Sequence, residues 1–311
     1  MFSEIKMVTL GVKDLDRSIA FYADAFAFEE ISRTRVDHEA VSEAWRIPAG
    51  IAGRFAIMGI PGIDSGMLRL VEWTPSGEHA WSAPARFQDL GAYAVNFRVK
   101  DANAAWDLLG RSGAIEKAKP TYWEPGPGIA AWDSQCQDPD GTALDVFQVV
   151  GEIENTLGPF APGRDATEAQ TLAIHCQDAR ASARFYTGLG FETLYDQVLD
   201  PPWPFPAMPP GVKLHNINLV MRGERATGRV ELAQYLGAPG RSSRSRTAPP
   251  SRGPLMMSIR VSRLDHAAAG IQALGAKPIG SARYASPPFG LVAAATFFGP
   301  CEEVIELFEA P

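Results

Sequence analysis

Residues 7–22, MVTLGVKDLDRSIAFY, open with apolar positions that alternate like a half-buried strand, then change to helical spacing after Asp14. Residues 171–186, TLAIHCQDARASARFY, do the same, with Asp178 in the place of Asp14 and Phe185-Tyr186 in the place of Phe21-Tyr22. Each Asp stands where its short carboxylate can accept the free N–H groups of a helix's first turn. Two more segments begin alike, 94–114 (AVNFRVKDANAAWDLLGRSGA) and 257–276 (MSIRVSRLDHAAAGIQALGA), and both end on Gly-Ala. Gly113 and Gly275 fit helix ends that need a left-handed residue. Further alternating runs follow: GMLRLVEW from 66, TALDVFQVV from 142, GRVELAQY from 228 and EEVIELFE from 302. The chain therefore reads as four repeats of one strand, one helix and three strands, an α+β arrangement.

Stretches without a regular period divide the repeats. GPFAPGRD, 158–165, suits a linker, which gives an expected first domain over 1–150, a linker over 151–166 and a second domain over 167–311. APGRSSRSRTAPPSRGP, 238–254, has few apolar residues and four arginines, and is expected to be a mobile, solvated connection.

Composition narrows the function classes. A formal net charge of −7 without a basic cluster argues against nucleic acid. No segment has the length and apolarity of a membrane span or the form of a signal peptide, so a cytoplasmic, soluble protein is expected. The three cysteines, Cys136, Cys176 and Cys301, have no metal-binding spacing and are expected to be reduced.

The strand-to-helix signature ending in Phe-Tyr, and the turn DPDG at 138–141 before a final strand, resemble the vicinal oxygen chelate superfamily. That superfamily includes glyoxalase I, extradiol dioxygenases, fosfomycin-resistance enzymes and bleomycin-binding proteins. The resemblance implies four βαβββ modules, with modules 1 and 2, and then 3 and 4, each closing into a U-shaped sheet around a cavity. Superfamily metal ligands occupy the first strand of each module, seven residues before the helix cap, and the last strand. Here those positions hold Met7, Arg69, Ala94 and Asp145 in the first pair of modules, and Thr171, Glu231, Met256 and Glu306 in the second. Histidine is absent from all of them, so the resemblance implies no bound metal or other cofactor, unless Glu231 and Glu306 together hold a divalent ion. Arg69 and Asp145 are expected to form an ion pair in place of a metal.

Period two adds His175, Asn96, Arg98, Ser258 and Arg260 to the cavity faces. The second domain is thus expected to hold the site. His175, Glu231, Glu306 and Arg260 are its candidate catalytic groups, and Thr171, Ser258, Met256, Asn96 and Arg98 are candidate substrate contacts. Trp203 and Phe205, in DPPWPFPAMPPG, stand in a long connection that could lid it, as Trp45 and His38 do in the first domain. Plainer readings remain beside these: His175 satisfying a buried backbone group, and Glu231 and Glu306 paired with Arg229 or Arg260. The expected ligand is a small aromatic or apolar molecule, in a monomer or homodimer. Three functions stay open: metal-independent acid/base chemistry of the lyase or isomerase kind, metal-free sequestration of a small molecule as in bleomycin-binding proteins, and metal-dependent chemistry with unusual ligands.

Overall fold

The computed structural model of the chain describes residues 1–126, 128–151, 157–202, 210–221 and 227–311. Module 1 comprises β1 (Phe2–Val12), α1 (Leu15–Phe26), β2 (Glu29–Arg35), the single turn α2 (His38–Val41), β3 (Ala52–Gly59) and β4 (Met67–Thr74). Module 2 comprises β5 (Gly91–Arg98), α3 (Ala102–Arg111), β6 (Ile115–Gly126), β7 (Ile129–Gln137) and β8 (Ala143–Val150). Module 3 comprises β9 (Thr171–His175), α4 (Ala179–Gly188), β10 (Glu192–Leu199), β11 (Leu214–Val220) and β12 (Arg229–Tyr235). Module 4 comprises β13 (Gly253–Val261), α5 (Leu264–Ala273), β14 (Lys277–Ala285), β15 (Leu291–Phe298) and β16 (Val304–Glu309).

The helix boundaries follow from the side chains foreseen. Asp14, Asp101 and Asp178 accept the N–H groups of Arg17, Ala104 and Ala181. Arg263 stands at the fourth cap without a side-chain bond to the helix's first N–H groups. Gly113 and Gly275 follow α3 and α5 with φ of 94° and 103°, a region that costs a side chain dearly.

The modules do not pair in chain order. One eight-stranded sheet runs β14-β15-β16-β13-β1-β4-β3-β2 and joins modules 4 and 1; the other runs β10-β11-β12-β9-β5-β8-β7-β6 and joins modules 3 and 2. Modules 1 and 2 therefore do not share a sheet, and neither do modules 3 and 4. The seams are antiparallel: β1 lies against β13, with Thr9 opposite Met256, and β5 lies against β9, with Asn96 opposite Thr171.

Modules adjacent in sequence meet instead on the outer, helical side, in one core fed by all four. Tyr22 of α1 donates its hydroxyl to Asp138 in the DPDG turn of module 2 (2.9 Å), and Ser18 donates to Asp140 (2.9 Å). The repeat is visible again where Tyr186 of α4 donates to Glu303 of module 4 (2.5 Å). Burial raises both acids, Asp138 to about 6 and Glu303 to about 7. The Phe-Tyr signature is thus a tie between neighbouring modules of different sheets. The three cysteines are free and buried, as their spacing implied.

The chain passes from the first sheet to the second along residues 75–90 and returns along 236–252, and these crossings pack on each other. Asp89, without solvent contact, accepts from Arg241 Nε (3.1 Å), Arg241 Nη2 (2.9 Å) and Arg246 Nη2 (2.9 Å). Burial opposes its charge, but the Arg241 hydrogen bonds and the Arg246 charge win and hold it at about 2. Segment 238–254 is therefore not the free connection that its composition suggested: Arg241 and Arg246 are counterions for buried Asp89, and Arg244 and Arg252 pair with Glu302 and Asp140. The return crossing also runs so close to β1 that a Cβ on Gly11 would lie 2.3 Å from Ser251 O, so the position takes only glycine.

Candidate functional site

Within each module the last strand runs parallel to the first, and the register is the same four times. Thr9 faces Arg69, Asn96 faces Asp145, Ala173 faces Glu231 and Ser258 faces Glu306. Met7, Ala94, Thr171 and Met256 stand two residues before those first-strand partners, so their equivalence holds. What changes is which modules meet. Arg69 and Glu306 share one sheet, and Asp145 and Glu231 share the other.

Between modules 1 and 4 the cavity is filled. Glu306 accepts four hydrogen bonds: from Trp45 Nε1 (3.0 Å), Tyr284 OH (2.7 Å), Ser258 Oγ (2.6 Å) and Arg69 Nη2 (3.2 Å). The Arg69 guanidinium lies 4.7 Å above the Trp45 ring and also reaches Tyr284 OH (3.1 Å). The space left beside Trp45 and Met256 is about 20 Å³, at the limit for one water. Trp45 arrives from the segment after α2, so the insertion expected to cover this cavity occupies it; His38 lies half-buried at its start. The ion pair expected between Arg69 and Asp145 is instead between Arg69 and Glu306. Glu306, Ser258 and Met256 belong to this packed cluster, and Arg260, half-buried on β13, belongs to the same sheet.

Between modules 2 and 3 a cavity of about 150 Å³ is open, with residues from all eight strands in its walls. Its apolar surface comes from Trp123, Phe147, Leu194, Leu199 and Tyr195, and its polar floor from Asn96, Asp133, Asp145, Thr171, Asn216, Arg229 and Glu231. Glu231 is gripped on both oxygens, by Asn96 Nδ2 (2.6 Å) and by Asn216 Nδ2, which Asn218 supports in turn (2.8 Å). Burial raises its pKa, while Asn216, Arg229 and Asn96 pull it back. Arg229 donates Nε to Thr171 Oγ1 (3.1 Å), and burial lowers its pKa to about 10. Asp133, buried on β7, accepts from the indole N–H of Trp123. Burial lifts its pKa to about 7 against that hydrogen bond, and the Glu231 charge adds to the rise. Asp145 is pushed well above the ordinary carboxyl range, by burial first and then by Asp133 and Glu231. Its Oδ1, like Asn96 Oδ1, is buried without a partner.

Of the candidates named from the sequence, Glu231, Asn96 and Thr171 meet in this cavity, and Asp145 joins them. Glu231 and Glu306 lie in different sheets, so they neither couple nor share a cation. His175 stands on the same strand as Thr171 but beyond the cavity, stacked on Tyr93 (4.2 Å between ring centres) and enclosed by Trp81 and Tyr235. Burial drives its pKa down to about 3, and Tyr235 OH lies 3.2 Å from its Nε2, so it is a neutral packing residue. Arg98 turns to the linker, donating to Gly158 O (2.6 Å) beneath the Phe160 ring. His215 points away from the cavity, onto Asp196 (2.7 Å). Trp203 and Phe205 lie outside the described residues. Sequence reasoning missed Asp133, Asn216, Trp123 and Tyr195, which stand on middle or outer strands rather than at ligand positions.

The family pattern described as the Glyoxalase/Bleomycin resistance protein/Dioxygenase superfamily matches residues 4–146, and four βαβββ modules in curled sheets extend it over the rest. Residues 4–146 carry the vicinal oxygen chelate pattern, and the rest of the chain repeats the same strand and helix order. Glyoxalase I from Zea mays is similar in fold, with 16% identity and a TM-score of 0.64 over 98% of this chain and 92% of that one. A candidate dioxygenase from Bacillus subtilis is similar over 100% of this chain and 86% of that one, with 14% identity and a TM-score of 0.61. No curated protein matches.

Members of this superfamily commonly use a metal. In the open cavity the ligand positions are Ala94, Asp145, Thr171 and Glu231. Ala94 has no donor atom, and both Glu231 oxygens already accept amide N–H groups. Among the described residues, no three His, Cys, Asp or Glu side chains converge on one point as ligands would. These residues do not fit the superfamily's metal.

Proposed function

We propose that the cavity between modules 2 and 3 is the active site of an enzyme that moves a proton on a small, flat, aromatic or carbonyl-containing metabolite, as an isomerase or lyase, through carboxyl chemistry rather than a metal. The observation that carries this reading is Asp133, a cavity-lining carboxyl held at about 7. A group with that affinity is half ionised at neutral pH and can both take and return a proton. The Trp123 N–H fixes its orientation. Its carboxylate removes a proton from a carbon of the bound molecule and returns it to a different atom, so that the net change is an isomerisation. Loss of a leaving group from the same carbanion would make it a lyase. The volume suits one aromatic ring with a small substituent, since a cavity of about 150 Å³ takes up benzene.

The experiment is a thermal-shift screen of aromatic acids, phenols, ketones and amines, followed by proton NMR of each binder in D2O. A substrate shows conversion or exchange of a C–H that rises with pH through about 7. Asp133→Asn is expected to cut the rate by on the order of 10²-fold or more while leaving binding within a few-fold. Ligands that bind but neither convert nor exchange with the unsubstituted protein would make this a binding protein like the superfamily's bleomycin-resistance members. Conversion unaffected by Asp133→Asn would place the chemistry elsewhere.

A further inference from the structure

The floor of the open cavity is unbalanced in charge and in hydrogen-bonding capacity. Arg229 and Glu231, two residues apart on β12, offset each other. Asp133 and Asp145 remain, and among the described residues the lining includes no other cation. Of the two, Asp133 has a donor in Trp123, whereas Asp145 Oδ1 has none. Asn96 is 3% exposed and commits its amide N–H to Glu231, which leaves Asn96 Oδ1 also without a donor. Asn96 and Asp145 are register partners on neighbouring parallel strands, so the two orphaned oxygens belong to adjacent side chains on one face. A buried acceptor without a donor is costly, and two side by side in a cavity wall call for a ligand that brings the donors.

We infer that the ligand is a flat organic cation carrying at least two N–H donors, an amidinium or a protonated arylamine or arylalkylamine, with its N–H groups on Asn96 Oδ1 and Asp145 Oδ1. This rests on the reading of the same cavity as the functional site and adds the charge and donor pattern of its occupant. A cation there brings Asp145 the opposite charge that the other lining groups do not supply. The Trp123 and Tyr195 rings in the walls favour a positive charge on a planar body. An anion meets two carboxyls at that end.

Three probes share one shape and differ in charge: benzamidine, benzamide and benzoate. Calorimetry at pH 7 should give benzamidine an affinity at least about tenfold above benzamide, with benzoate weakest. Asp145→Asn, which keeps the shape, should reduce the preference to within a few-fold, while Asn96→Leu should weaken benzamidine more than benzamide. Equal or stronger binding of benzamide or benzoate, or a preference that survives Asp145→Asn, overturns the inference. Binding of none of the three also overturns it. The proposed proton transfer would still stand if ketones or phenols from the screen are turned over and Asp133→Asn abolishes it.

Discussion

Arg69 Nη2 and Glu306 Oε2 lie 3.2 Å apart with side chains that are 1% and 0% exposed, at positions where superfamily relatives place metal ligands. The pair takes the place of an ion: one charge of each sign, every Glu306 hydrogen-bond position occupied, and Trp45 in the volume a ligand would use. One of the two sites of the fold has become core. The other keeps two carboxyls and a void.

Removing one partner of a buried pair leaves an uncompensated charge. Glu306→Gln is expected to lower stability by about 3–5 kcal/mol in chemical denaturation, with ligand affinity at the module 2 and 3 cavity unchanged. A large loss of ligand affinity without a loss of stability would show that the filled site takes part in function.

Asp133 gives stability a definite slope with pH. Its folded-state pKa of about 7 is above the ordinary value of 3.8, so below pH 4 it is protonated in both states and imposes no cost. Between about 4 and 7 only the unfolded chain ionises freely, so stability falls as pH rises through that window and levels off above it. Asp133→Asn should flatten this fall and raise stability at pH 8 by a few kcal/mol, on the order set by a shift of about three pKa units. A Tm difference between the two proteins that is the same at pH 5 and pH 8 would contradict the assignment.

Asp89 has the opposite sign. Held at about 2, it contributes stability that is present above the ordinary carboxyl range and is lost as pH falls from about 4 toward 2. Asp89→Asn should cost about 2 kcal/mol at pH 7 by weakening the charged hydrogen bonds from Arg241 and Arg246, which keep solvent contact, and the cost should shrink in acid. Limited proteolysis should then cut within 236–252, where the unsubstituted protein resists.

Much of the fold was legible because period and capping are local. Asp14, Asp101 and Asp178 fix where strands give way to helices, and the alternation around Arg69, Asp145, Glu231 and Glu306 fixes which side chains face inward. Partner choice is not local. Four modules with equivalent first strands can pair in several ways, and nothing in β1 alone distinguishes β5 from β13 as its neighbour. That ambiguity put Glu231 with Glu306 and Arg69 with Asp145, when the structure exchanges the partners. Arg241 and Arg246 looked solvated because their acid, Asp89, lies about 150 residues earlier. Asp133 escaped notice because it stands on a middle strand, among residues whose alternation is unremarkable.

The exchange of partners nests one sheet inside the other along the chain. The open cavity is built from a continuous stretch, 91–235, whereas the filled site needs the first and last modules, with Trp45 bonded to a residue 261 positions away. During synthesis the half that holds the open cavity has all its strands before module 4 exists, while β1 waits with an unpaired edge for β13. The long-range closure of the outer sheet carries the greater loop entropy and is the later event. The buried Arg69–Glu306 pair then acts as the fastener of the last strand pairing.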